Sequence, residues 1–340
     1  MTPNTLHFGD STVLVGDFPD ESFDAIVTDP PYGLGNRQPT AEDIAAYLEG
    51  QDLNHGRDFM GKPWQMPSVV FWQQCFRVLK PGAVVMAFAG TRTFDLMSAG
   101  LTAAGLQRVG CVGWIQAQGF PKSHNVGAGI DKLKGLKREI VGTKRGVGGD
   151  NLNDIVRGSE VVRTTTDAGG KGIGAYGVGA KQVAVDVPVT APASLEAAQW
   201  EGWGTALKPA WEPILVYSKG PPSSFKMPLV PFFYTPKATK GEVTVGGTVE
   251  VTHPTKKPLA LMRWLVQQAA PEGSLILDPY LGSGTTAVAC QHEQRCYVGC
   301  ELDPLYFQQA YQRIGIVRDS LEEQLDSEGL LDLMALLPPD

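Results

Sequence analysis

The segment that most restricts the fold lies near the end of this 340-residue chain. Ser274 to Leu277 is a short apolar run between turn signals and reads as a buried strand. It leads through Asp278-Pro279-Tyr280-Leu281 into Gly282-Ser283-Gly284, then into a helix from about Thr285 to Gln291. A second apolar strand, Cys296 to Cys300, ends at Glu301. Strand, glycine turn, helix and strand make a crossover unit of a parallel sheet, and the glycines let the backbone approach a ligand closely. A carboxylate at the tip of the second strand is placed to accept hydrogen bonds from ribose hydroxyls. No Gly-Lys-Ser/Thr follows the glycines, and Asp278 would repel a pyrophosphate, so the turn suits a cationic ligand better than a phosphate.

The front of the chain alternates in the same way. Thr5-Leu6-His7-Phe8 is a short strand ending at Gly9-Asp10, and Ser11 to Leu14 begins a short helix. Asp24 to Thr28 is a buried strand stopped by Asp29-Pro30-Pro31, because prolines cannot donate to a ladder. Residues 33–66 are polar and Gly-rich and predict a long loop over a site. A helix over Val69 to Leu79, closed by Lys80-Pro81-Gly82, is followed by a strand (Ala83 to Ala89), a helix (Thr91 to Gly105) and a strand (Arg108 to Gln116). The pattern then dissolves. Residues 142–182 are dense in Gly, and an insertion is expected over 118–250, with small β elements such as Glu212 to Tyr217. Regular signal returns in helices at Pro258 to Ala270 and Asp303 to Gly315, and Ser320 to Leu337 reads as an acidic amphipathic helix. The expectation is an α/β fold with a largely parallel, doubly wound sheet. It divides into 1–117, an insertion at 118–250, a second half at 251–318 and a terminal helix at 319–340.

The formal charge of −7 is unevenly spread. Residues 116–257 hold 18 Lys and Arg against 12 Asp and Glu, whereas the rest holds 11 against 24. The middle therefore suits phosphates, although a solvated, loop-rich insertion would carry the same charges. Five cysteines (Cys75, Cys111, Cys290, Cys296, Cys300) without a C-x-x-C pair argue against a zinc site or a disulfide framework. No apolar run approaches the roughly 20 residues of a membrane span. Met1-Thr2-Pro3-Asn4 lacks the features of a secretory signal, so a cytoplasmic location is expected.

Three motifs carry a family resemblance. Tyr280-x-Gly282-x-Gly284 after Asp278-Pro279 resembles the cofactor motif of amino-group DNA methyltransferases, and Asp29-Pro30-Pro31-Tyr32 resembles their catalytic tetrad. His253-Pro254-Thr255-Lys256-Lys257-Pro258-Leu259 is similar to the segment before the cofactor strand in the β-class, whose permuted order this chain shares. The resemblance covers roughly 5–116 and 252–316 and implies a Rossmann-like, S-adenosylmethionine-dependent methyltransferase fold. It further implies a site-specific enzyme of bacterial or phage type, as found in restriction–modification, acting on double-stranded DNA. The insertion would then recognise the target sequence.

The resemblance also assigns roles. Asp29 and the Pro30 carbonyl would accept the two amino hydrogens of the target base, Pro31 would stiffen the turn, and Tyr32 would stack on the extruded base. His253, Asp278, Pro279, Tyr280, Gly282, Gly284, Thr285 and Glu301 would form the cofactor site. Asp10 is either a contact to the cofactor adenine or a helix cap, and Lys256 either holds the methionine end or is a solvated charge. Phe59-Met60-Gly61-Lys62-x-Trp64, Gly119-Phe120-Pro121-Lys122-Ser123 and the stretch from Thr205 through Lys208 to Pro213 resemble segments of phage-type members that lid the base or meet DNA. Lys132, Lys134, Lys137, Arg138, Lys144 and Arg145 are further phosphate candidates. Asp first in the tetrad favours adenine N6, with cytosine N4 the close alternative. The chain has no Pro-Cys dipeptide, which disfavours a C5-cytosine enzyme. Protein glutamine or RNA methylation would call for Asn at position 29, and a non-enzymatic DNA-binding module would not need the intact acidic tips. The acidic terminal helix offers a contact for a homodimer.

Overall fold

The central strands are almost unbroken apolar runs, as strands covered on both faces must be. The computed structural model of the chain describes residues 2–35, 37, 39–53, 65–116, 125–147, 184–204, 211–222, 231–238, 244–245, 249–250 and 256–335. In chain order its first elements are β1 (Thr5–Phe8), α1 (Ser11–Asp17), β2 (Phe23–Thr28), α2 (Ala41–Leu48), α3 (Val69–Val78), β3 (Leu79–Phe88), α4 (Phe94–Ala103) and β4 (Gln107–Ile115). Then come α5 (Val126–Leu133), β5 (Ile140–Val147), β6 (Ala184–Thr190) and α6 (Leu195–Gln199). The last are β7 (Trp211–Ser218), β8 (Phe232–Tyr234), β9 (Thr244–Val245), β10 (Val249–Glu250), α7 (Leu259–Ala269), β11 (Leu275–Asp278), α8 (Thr285–His292), β12 (Cys296–Glu301) and α9 (Pro304–Ala335).

Contacts divide the chain into residues 1–118 with 211–340, and residues 119–210. In the first unit, eight strands form one sheet in the order β1-β12-β11-β2-β3-β7-β4-β8. The first five are mutually parallel. Alternate residues of β2 and β3 enter two cores. Ile26, Val85 and Ala87 join Trp72, Cys75, Met97 and Leu101 from the front half of the chain. Ala25, Val27, Val84 and Met86 join Leu261, Leu265, Val288 and Ala310 from its end. Helices therefore cover both faces, which is the doubly wound α/β class expected from the alternation. In the second unit β5 and β6 pair antiparallel, and buried Asp131 accepts from Ala193 N at 2.9 Å and Ser194 Oγ at 2.8 Å.

Four boundaries differ from the sequence reading. The expected loop over 33–66 contains α2, opened by a reciprocal cap in which Thr40 and Asp43 bond each other's backbone amides. Its Tyr47 is fully buried against Gly100, where an added Cβ would lie 2.2 Å from the phenol oxygen. β3 starts at Leu79 rather than after Gly82, with an irregular register opposite Phe23 and Ala25. The insertion expected to run to 250 gives way at β7, which lies between β3 and β4 and is antiparallel to both. Ile214 to Tyr217 are buried on both faces, so they belong to the core. The helices expected at 303–315 and 320–337 are one, α9, since a lone Gly315 costs only about 1 kcal/mol and breaks nothing. Among the described residues no helix is long and apolar enough to cross a membrane.

α1 carries Asp10 at its start and is tied down at its other end by Arg77 of α3. The guanidinium donates to the carbonyls of Val15 (2.9 Å), Gly16 (3.0 Å) and Phe18 (2.8 Å). Arg77→Ala strips these carbonyls of charge-assisted donors, and chemical denaturation is expected to show a loss on the order of 2 kcal/mol.

Candidate functional site

Because β1, β12, β11 and β2 are adjacent and parallel, their carboxyl ends lie side by side on one sheet edge. Each ends on an acid: Asp10, Glu301, Asp278 and Asp29 in that order. Ligands of open α/β sheets bind outside this edge. Segments from the front and the back of the chain meet there.

Asp29 follows β2 directly. Its Oδ2 accepts from Lys257 Nζ at 2.6 Å and its Oδ1 from the Tyr32 hydroxyl at 2.7 Å. The same hydroxyl lies 3.0 Å from Glu212 Oε2 and 3.1 Å from Lys257 Nζ. Lys257 is also 3.3 Å from Glu212, whose other oxygen accepts from Gln116 Nε2 at 3.1 Å. The Lys257 ammonium sits 4.7 Å from the centre of the Phe88 ring and 5.5 Å from that of Tyr32. Its side chain is only 7% exposed. The Tyr32 carbonyl accepts from Thr93 Oγ1, which fixes the turn after the two prolines.

Two carboxylates thus share one ammonium. Burial raises the pKa of Asp29 and Glu212 raises it further, against the lowering effect of Lys257. Burial also works against the charge of Glu212, but Lys257 and the Tyr32 hydrogen bond hold it below the usual carboxylate value. Lys257 is raised despite its burial, because both carboxylates favour its charged form. The Tyr32 phenol is pushed well up by burial and by the two neighbouring carboxylates, so it stays a donor.

On the other side, Glu301 Oε2 accepts from Gly282 N and Oε1 from Asp303 N, both at 2.7 Å. A carboxylate has about four acceptor positions, so two backbone bonds leave room for a ligand. Gly282 and Gly284 adopt left-handed φ angles of 57° and 83°. A Cβ on Gly284 would also come within 3.1 Å of Ala310, so that glycine serves the packing of α9. Asp10 caps α1 by accepting from Thr12 N at 2.8 Å, while remaining exposed at the edge. Asp278 faces inward. It accepts from Thr28 Oγ1 at 2.8 Å, from Tyr280 N at 3.1 Å and from Thr286 Oγ1. Pro279 is buried, and Tyr280 packs on Phe71 with ring centres 5.5 Å apart. Thr285 is buried and accepts from Arg313 at 2.8 Å.

The structure therefore brings Asp29, Pro30, Pro31, Tyr32, Asp10, Gly282 and Glu301 to one edge, and turns Asp278 and Thr285 into the core. His253, Lys62, Lys122, Ser123 and Lys208 lie outside the described residues. Lys256 is half-buried, and its neighbour Lys257 is the lysine on Asp29. Among the basic candidates, Arg138 pairs with Asp131 and Glu201, and Lys134 with Glu196. Lys132 and Lys137 are exposed, and the side chains of Lys144 and Arg145 are outside the described set. Sequence reasoning missed Lys257, Glu212 and Gln116. The available signal was a single acid before the apolar run Ile214 to Tyr217, like the acids at the other strand ends.

Residues 189–312 match the family model described as DNA methylase, of the N6/N4 type. This part of the chain is similar to amino-group DNA methylases. The match includes Glu212, Lys257, Gly282 and Glu301, while Asp29 to Tyr32 lie before it. Type II methyltransferase M.HpaI of Haemophilus parainfluenzae is 37% identical over 62 residues, 18% of this chain and 20% of that protein. Type II methyltransferase M1.MboII of Moraxella bovis is 37% identical over 65 residues, 19% and 25% of the two. The chain thus spans a quarter or less of the length of these curated relatives. The solved PvuII DNA methyltransferase (cytosine-N4-specific) has the same fold, with a TM-score of 0.54, at 13% identity over 92% of this chain and 86% of that one. The observed edge has the chemistry of a site for a hydroxyl-bearing cation, with acids at Asp10 and Glu301 and the close-approach turn at Gly282.

Burial raises the Asp278 carboxyl to about 6, against the hydrogen bonds from Thr286, Thr28 and Tyr280, with repulsion from Asp29 adding to the rise. A raised folded-state pKa contributes stability below the unfolded value, and that contribution is lost as pH rises through about 6. Wild type should therefore lose stability relative to Asp278→Asn between about pH 4 and 6, read from urea midpoints across that range.

Proposed function

We propose that the chain transfers the methyl group of S-adenosylmethionine to the exocyclic amino nitrogen of a base flipped out of double-stranded DNA, with adenine N6 as the target. One observation carries this reading. Asp29 and Tyr32, from the front of the chain, share a sheet edge with Gly282 and Glu301, from its end. The adenine preference rests on Asp, rather than Ser, at the first position of the tetrad. A reaction on bacterial or phage DNA fits a cytoplasmic location.

The donor set fits the cofactor. Glu301 would take the ribose hydroxyls with its spare acceptor positions, the turn at Gly282 would admit the ligand close to backbone, and exposed Asp10 would meet the adenine amino group. Asp278 would act from behind by fixing the turn. When bound, S-adenosylmethionine supplies an electrophilic methyl group on a sulfonium.

The target nitrogen is a poor nucleophile because its lone pair is delocalised into the base. Asp29 would accept one amino hydrogen and the Pro30 carbonyl the other, drawing the nitrogen toward tetrahedral geometry and localising the pair. Pro31 has no N–H to compete for that carboxylate. Tyr32 would offer a ring face to the extruded base, offsetting part of the few kcal/mol that flipping costs. We assign target recognition to residues 119–210, the unit that interrupts the methylase between β4 and β7.

Methyl-labelled S-adenosylmethionine, duplex DNA and nucleoside mass spectrometry test the reading. N6-methyladenine is the expected product, and Asp29→Ala should lower the rate by about 10³-fold. N4-methylcytosine would change the base and keep the chemistry. Label in protein or RNA but never in duplex DNA would overturn it. For the cofactor side, Glu301→Gln should weaken S-adenosylmethionine about ten-fold in calorimetry without DNA, through loss of a charged acceptor.

A further inference from the structure

The cluster around Asp29 poses a problem for any entering base. Asp29 already holds two donors, Lys257 on Oδ2 and Tyr32 on Oδ1. A carboxylate has about four acceptor positions, but each Asp29 oxygen already carries a donor, so an entering amino group competes with one of them for its oxygen. Removing a buried ammonium from its partner is costly unless another negative group receives it.

We propose that Lys257 and Glu212 are positioning residues that exchange partners as the base enters. Lys257 occupies the Asp29 oxygen that the target amino group will take, and Glu212 receives the ammonium when it moves off. The inference rests on the proposed methyl transfer at Asp29. Lys257 Nζ is 2.6 Å from Asp29 and 3.3 Å from Glu212, so a short shift trades the tight contact for the loose one. Gln116, itself buried, holds Glu212 Oε1 at 3.1 Å and leaves Oε2 toward Lys257 and Tyr32. Phe88, Tyr32 and Trp114 flank the ammonium, at 4.7, 5.5 and 5.9 Å from their ring centres, and keep it favourably placed between the two carboxylates. Lys257 also favours the ionised form of Asp29, against the burial that disfavours it. An acceptor-only carboxylate is the form that the amino group requires.

The two neighbours act on Asp29 with opposite sign, which a packing role would not reproduce. Among the described residues, the charged or titratable groups facing this cluster are Lys257, Glu212, Tyr32, Asp278 from β11 and Lys237 after β8. Carbon-13 titration of aspartate-labelled protein, without DNA or cofactor, reads Asp29 directly, with Asp29→Asn giving the assignment. Lys257→Met should move Asp29 up by about one unit or more, and Glu212→Gln should move it down by about one unit. The acid limb of kcat/KM for DNA methylation should follow in the same opposite senses. Glu212→Gln should also raise KM for DNA about ten-fold with a smaller change in kcat, because the displaced ammonium then lacks a second carboxylate. If Lys257→Met does not fold, Lys257→Arg should leave the limb in place while Glu212→Gln still lowers it. Shifts in the same direction, or no shift in either variant, overturn the exchange. Absence of DNA methylation by the wild type would instead overturn the methyl-transfer reading, and the exchange with it.

Discussion

Thr28 at the end of β2, Thr286 in the first turn of α8 and the amide of Tyr280 all donate to the buried carboxyl of Asp278. This convergence holds the two halves of the site together. The ladder between β2 and β11 is short, pairing Ala25 with Ile276 and Ile26 with Leu277. Beyond these two pairs, among the described residues, the β2–β11 ladder does not reach Asp29 or the glycine turn. The Thr28–Asp278 bond extends the link to the strand tips, and the Thr286 bond ties the turn's helix to the same carboxyl. Losing one of these donors would leave a buried acceptor short of a partner, so the three contacts stand or fall together.

The same edge concentrates negative charge. Asp29 raises the cost of ionising Asp278, and Glu301 is raised by burial and by Asp303. Lys257 sits among the acids nearest Asp29, between Asp29 and Glu212. Such an edge disfavours an anionic ligand and favours a cationic one, which is the electrostatic demand that the absence of a phosphate loop implied. The division of labour among the acids follows from their burial. Asp278 serves the scaffold, whereas Glu301 and Asp10 keep access to solvent.

Much of the fold was legible, because its strands carry uninterrupted apolar runs and their tips carry acids. Asp29 and Glu301 were found in this way, as was the alternation that wraps helices over both faces. β7 was not. Its apolar run marked a strand, but nothing local to Glu212–Tyr217 says that its partners are β3 and β4, at the far side of a long insertion. α2 was hidden because its eight residues sit among Gly-rich polar stretches, although Thr40-x-x-Asp43 is a start signal. Lys256 was singled out and Lys257 was not, because which adjacent side chain turns inward depends on the backbone before Pro258. Charge pattern alone cannot decide between neighbours one residue apart.

The basic middle of the chain has to be reread in the same light. Lys219 donates to the carbonyl of Leu79 and pairs with Glu21, and Lys257 is held by Asp29 and Glu212. Arg138 and Lys134 are paired within residues 119–210. These four basic residues are therefore already paired, and a count of Lys and Arg overstates the field offered to phosphates. Long-range attraction of DNA scales with charges that can release counterions, and a lysine already paired with a carboxylate contributes little. Exposed residues such as Lys132 and Lys137 are of the kind that can contribute. An acidic edge of this kind repels a phosphate backbone, and under the proposed methyl transfer it would admit only what has left that backbone: a single extruded base, neutral and bearing the amino hydrogens that Asp29 would accept.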